Sequence, residues 1–148
     1  MSSYRIPAVR LSMVRDGSVL AERNVITQSA QAATLCRMII GQNDREELLA
    51  LLLDAKHKVS AVHSVSVGSL TFSIVHPREA FKAAILSNAA ALIIAHNHPS
   101  GDPTPSQEDR ELTARLKECG VLLGIPILDH VVLGDGERYY SFADQGTL

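Results

Sequence analysis

Apolar and polar positions change period several times along this chain, and each change predicts a different element. RIPAVRLSMVRD, residues 5–16, alternates with Ile6, Ala8, Leu11 and Met13 as its apolar positions, and Asp16-Gly17 supplies a turn. That pattern predicts an edge strand. TQSAQAATLCRMIIG then places Ala32, Ala33, Leu35, Cys36, Ile39 and Ile40 at helical spacing, with Thr27 or Ser29 as the cap and Gly41 as the stop. EELLALLLD is too short for a long helix, and it leads through DAKHK into the β-branched VSAVHSVSVG. The pair predicts a hairpin whose first strand is buried on both faces.

VHPREAFKAAILSNA predicts a helix with Pro77 at its first position and Phe81, Ala84 and Ile85 along one face. ALIIA follows as a short buried strand. After the loop HNHPSGDPTP, SQEDRELTARLKECG predicts a helix capped by Ser106, closed by Gly120 and packed through Leu112, Leu116 and Cys119. PILDHVVLG is a further strand, and DGERYYSFA is its hairpin return. Strands and helices in this order predict a three-layer α/β/α sandwich with a mixed sheet. At 148 residues the chain is expected to form one domain, with residues 1–43 as an extension and 44–148 as the core.

Composition narrows the function classes. Fourteen basic against sixteen acidic residues give a net charge of −2 without a long run of either sign, which disfavours polyanion binding by charge alone. Trp is absent, so a base-stacking platform has only Tyr4, Phe72, Phe81, Tyr139, Tyr140 and Phe142 to draw on. Cys36 and Cys119 form no CxxC motif and are expected to be buried thiols in a reducing compartment. The start of the chain has no apolar signal core and no stretch is long enough to span a membrane, which points to the cytoplasm.

The candidate chemistry lies in AHNHPSGDPTPSQED. His96 and His98 close an apolar strand, and strand alternation puts both side chains on one side. Pro99, Gly101, Pro103 and Pro105 bend the chain, and Ser106 opens a helix whose first turn carries Asp109. Two imidazoles and one carboxylate leave a fourth position open, the arrangement of catalytic zinc. Such an ion polarises a carbonyl and lowers the pKa of water to about 7, so hydrolysis is the natural reaction. A general base is then required, and Glu46 or Glu47 can supply it, one facing the site and the other facing away. The same residues also admit a plainer account: Ser106 and Asp109 form a capping box, and the two histidines merely end a strand. Spacing alone leaves both readings open.

His96, His98, Ser106 and Asp109 match His, one residue, His, seven residues, Ser, two residues, Asp, and so the segment resembles the JAMM signature of JAB/MPN metalloproteases. More narrowly, VHPREAFKAAILSNAAALIIAHNHPSGDPTPSQED and LLGIPILDHVVLG resemble the RadC family, with the similarity running from about Asp44 to the C-terminus. The resemblance implies a cytidine-deaminase-like sandwich, zinc held by His96, His98 and Asp109, and Ser106 supporting a tetrahedral intermediate. Glu46 aligns with the family's upstream glutamate in an E-x-F pattern. Here the segment is Glu46-Glu47-Leu48, and the missing aromatic leaves Glu47 as a competing assignment. The expected substrate is a peptide or isopeptide bond, with a peptide or protein partner.

Two other readings follow. Longer RadC proteins resemble a helix-hairpin-helix DNA-binding module joined to this domain, and the family carries a DNA-repair label. Residues 1–43 are too short and too differently patterned to supply that module, so a DNA partner has weak support. A non-catalytic scaffold is the third reading, although such domains usually lack the ligands that are all present here. His76 and His130 are candidates to stand behind a metal ligand, but a hydrogen-bonded structural histidine is the more frequent case. His57 and His63 are expected at the surface, Asn97 is expected to point away from its two neighbours, and Gly134-Asp135-Gly136 is expected to be a tight turn. The letters HNH do not make an HNH nuclease, and the absence of HxE and PCxxC excludes a zinc nucleobase deaminase.

Overall fold

The computed structural model describes residues 1–68 and 75–148, and Phe72 lies outside them. The chain folds in the order α1 (Ser29–Ile40), β1 (Glu46–Leu53), β2 (Val59–Gly68), α2 (Pro77–Leu86), β3 (Ala91–Asn97), α3 (Gln107–Leu123), β4 (Ile127–Leu133) and β5 (Tyr139–Ser141). The strands form one mixed sheet in the order β2-β1-β3-β4-β5. Among the described residues only β3 and β4 run parallel, and α3 is the crossover between them.

β1 is buried on both faces because β2 and β3 flank it and helices cover it above and below. Leu48, Ala50 and Leu52 pack with Leu92 and Ile94 of β3 against α2 and α3. Leu49, Leu51 and Leu53 pack with Ile93 and Ala95 against Ala32, Ala33, Leu35 and Cys36 of α1. This parity gives the three-layer sandwich that the element order predicts. Burial also pushes the Cys36 thiol up to about 12, so it remains protonated. No helix among the described residues is long and apolar enough to cross a membrane.

Four expectations are corrected. RIPAVRLSMVRD forms no strand: residues 1–21 have no helix or strand, and Ile6, Leu11 and Met13 are exposed. Alternation makes a strand only where a ladder partner takes up the backbone groups. Here the first pairing is a single bridge between Val25 and Lys58. The cap of α1 is Gln28 rather than Thr27 or Ser29, because the Gln31 side chain turns back to accept from the Thr27 and Gln28 N–H groups. On α2, Ile85 is exposed and Ala80 joins Phe81 and Ala84 in the core.

The fourth correction concerns α3, which continues through Gly120 and ends at Gly124 in the left-handed conformation, φ 71°. Gly120 is required for close packing instead: a Cβ there would lie 2.7 Å from the Ile125 carbonyl oxygen. Alanine normally favours a helix over glycine by about 1 kcal/mol. At this position Gly120→Ala is expected to reverse that sign and cost about 1–3 kcal/mol through overpacking, read as a lower urea midpoint. An unchanged or higher midpoint would mean that the α3–β4 turn yields freely.

Candidate metal centre

Strand parity decides which side chains meet at the end of the sheet. On β3, His96 follows Leu92 and Ile94 onto the face covered by α3, while Asn97 follows Ala95 to the other side. The chain keeps its course past β3, since the His98 N–H donates to the Leu133 carbonyl at 2.9 Å, and His98 therefore returns to the α3 face. Glu46 shares parity with Leu48 and begins β1 on that same face.

The loop then brings a carboxylate back. Gly101 adopts φ 91°, and the Asp102 carboxylate accepts from the Thr104 N–H and hydroxyl. The tight turn at 134–136 closes against this loop, with the Asp135 N–H donating to the Gly101 carbonyl at 2.8 Å. Ser106 caps α3: its Oγ accepts from the Asp109 N–H at 3.0 Å, and Asp109 Oδ2 accepts from the Ser106 N–H at 2.9 Å. The capping box and the metal reading thus employ the same carboxylate.

His96 Nε2 and His98 Nε2 are 3.0 Å apart. Asp109 Oδ1 lies 3.2 Å from the first and Oδ2 lies 3.0 Å from the second. Glu46 Oε1 stands 4.0 Å from His98 Nε2, and ligand atoms of Glu46, His96 and His98 all lie within 4.8 Å of one another. Glu47 points elsewhere, accepting from the Ser64 hydroxyl at 2.9 Å. The Ser106 side chain lies beside the cluster through Asp109, and no acceptor for its hydroxyl proton occurs among the described residues.

This donor set fits a cation. His98 Nδ1 is 2.7 Å from the Asp102 carbonyl, which can only accept, so Nδ1 carries the proton and the neutral ring turns a bare Nε2 toward His96 and Asp109. Bare nitrogens and carboxylate oxygens at 3.0–3.2 Å repel one another unless a proton or a metal ion sits among them. Without a metal, the proton answers. The hydrogen bond to Asp109 raises the His98 pKa above its ordinary value, against the opposing effect of burial. For Asp109 burial acts upward, but the close His96 and His98 imidazoles together with the Ser106 N–H outweigh it and hold the carboxyl well below the usual range.

Two residues undervalued at the sequence level complete the site. His130 is fully buried, with Nε2 2.7 Å from His96 Nδ1 and Nδ1 2.6 Å from Thr113 Oγ1. Burial drives its pKa well below the ordinary histidine value. Asn97 does point away from its neighbours, and there its side chain accepts from the Glu47 N–H at 2.8 Å and donates to the Arg45 carbonyl at 2.9 Å. It thereby fixes the backbone on both sides of Glu46. The remaining histidines stand apart: His76 caps α2 by accepting from the Arg78 N–H, His57 occupies the β1–β2 turn at φ 60°, and His63 is half-buried on β2 rather than at the surface.

The family described as RadC-like JAB domain matches residues 26–147, which takes in α1 as well as the segment from Asp44 onward. A UPF0758 protein of Trichlorobacter lovleyi is 50% identical over 122 residues, covering 82% of this chain and 53% of the relative. That of Rubrobacter xylanophilus is 45% identical over 141 residues, 95% of this chain and 60% of the relative. That of Pelobacter propionicus is 57% identical over 104 residues, 70% and 45% respectively. The chain spans about half the length of these relatives.

Proposed function

The chain belongs to the RadC-like JAB domain family, and from that premise we propose that it is a zinc-dependent hydrolase of peptide or isopeptide bonds. The observation that carries this reading is the convergence of His96 Nε2, His98 Nε2 and the Asp109 carboxylate at 3.0–3.2 Å. Two imidazoles and one carboxylate suit zinc, whereas magnesium and calcium prefer all-oxygen shells. Zinc held there supplies Lewis acidity toward a carbonyl oxygen and toward water.

The chain's own groups do the rest. Glu46, on the same face and a third exposed, takes a proton from the attacking water and returns it to the leaving amine. Ser106 donates its hydroxyl proton to the developing oxyanion. The rigid capping box keeps that hydroxyl next to Asp109. The free thiols of Cys36 and Cys119 support a reducing compartment, the cytoplasm.

Elemental mass spectrometry on protein purified without added metal or a histidine tag tests the premise. Near-stoichiometric zinc is expected in the wild type and little in His96→Ala. Absence of zinc from the wild type, even after zinc is offered, would make the loop a capped turn and the chain a scaffold.

A further inference from the structure

The hydrogen bonds behind His96 have a single consistent direction. The Asp109 backbone carbonyl can only accept, and Thr113 Oγ1 lies 2.7 Å from it, so the one hydroxyl proton of Thr113 is committed there. Thr113 Oγ1 also lies 2.6 Å from His130 Nδ1, and with its proton spent it must accept from that nitrogen. His130 is fully buried and neither ring nitrogen bonds a carboxylate, so the ring is neutral and its Nε2 is bare. The bare Nε2 then accepts from His96 Nδ1–H at 2.7 Å. Phe142 stacks on the His130 ring, with centroids 5.0 Å apart and planes 11° from parallel, and holds the ring plane.

We propose that His130 and Thr113 are positioning residues that lock His96 in its Nδ1–H tautomer, so that Nε2 is presented bare to the centre. The relay starts on the Asp109 backbone and ends on His96, so it orients two of the three metal-facing side chains relative to each other. The opposite direction would set a bare His130 Nδ1 against a Thr113 oxygen whose proton points away, at 2.6 Å. Imidazole replaces the carboxylate or carbonyl that commonly stands behind a metal-bound histidine. For metal affinity the proposal rests on the zinc reading above; the tautomer does not.

Long-range nitrogen–proton NMR of histidine-labelled, metal-free protein at pH 8.5 reads the tautomer directly in the unaltered chain. His96 is expected to show a protonated Nδ1 and an unprotonated Nε2. Thr113→Val keeps the shape and removes the acceptor for His130; it is expected to change the His96 pattern and to weaken zinc by about 10- to 100-fold in competition with a chromogenic chelator. Thr113→Ser is expected to restore both, which a purely packing role for the methyl group would not do. A protonated His96 Nε2 in the wild type overturns the relay, as does a valine variant with unaltered tautomer and affinity. Should the predicted tautomer appear in a chain that takes up no zinc, the metal reading fails and the relay stands.

Discussion

Glu46→Gln is expected to lower hydrolysis of a peptide or isopeptide substrate by about 100- to 10,000-fold while zinc stays bound. Glutamine keeps the size of the side chain and loses its basicity. Since Glu46 Oε1 stands 4.0 Å from His98 Nε2, outside the 3.0–3.2 Å cluster of His96, His98 and Asp109, its loss as a base leaves that cluster intact. Glu47→Gln makes the informative partner. Glu47 accepts from Ser64 on the other side of β1, so that variant should keep most of its rate. Steady-state rates and zinc content measured together decide the matter. Full activity in Glu46→Gln, with loss in Glu47→Gln, would transfer the base to the neighbouring residue. Loss of zinc from Glu46→Gln would instead mark Glu46 as a ligand, which the 4.8 Å grouping with the two histidines allows.

The separation of Glu46 from Glu47 illustrates what the sequence makes legible. A strand with apolar residues at every position from Leu48 to Leu53 must be covered on both faces. Its first two residues then necessarily fall on opposite sides. The same parity brings His96 and His98 together and sends Asn97 away. Asp109 is legible for another reason: a capping residue three positions into a helix points its carboxylate back at the loop it leaves.

His130 is harder to place, and the cause is local. β4 pairs with β3 as Leu92↔Ile127 and then Ile93↔Asp129, so the ladder skips a residue at Leu128. Simple alternation from Ile127 would turn His130 away from the face that Ile127 shares with α3; the irregularity returns it to His96. Thr113 is hidden in a similar way, since a threonine four residues after Asp109 on a helix face is ordinary until its hydroxyl partners are known. The arm at residues 1–21 fails in the opposite direction. Its alternation is real, but sheet formation depends on a partner edge that no local pattern encodes. Gly120 likewise has a stop signal's composition, while its actual constraint is contact with Ile125 and Ile127 beyond the helix.

Zinc affinity is expected to rise with pH through the region above 6.5, by about tenfold per unit while one proton must leave. In the metal-free chain, the bond to Asp109 raises the His98 pKa above its ordinary value despite burial, so the proton that zinc must displace is held to higher pH than on an unperturbed histidine. An unperturbed histidine would release it near 6.5, and affinity would level off above that value. The linkage to stability has the opposite sign in the two forms. Without metal, protonated His98 contributes stability that is fully present below 6.5 and is lost as pH rises through its raised folded value. With zinc bound, stability increases with affinity over the same interval. The gap between zinc-loaded and metal-free melting temperatures should therefore widen from pH 6 to pH 8. Asp109 adds nothing to this trend, because its carboxyl is held far below the ordinary range and stays ionised throughout. Chelator competition and thermal melts at pH 6, 7 and 8 measure both quantities. A flat affinity above 6.5 would mean that His98 and Asp109 do not share a proton, and that the centre is held open by something other than their mutual hydrogen bond.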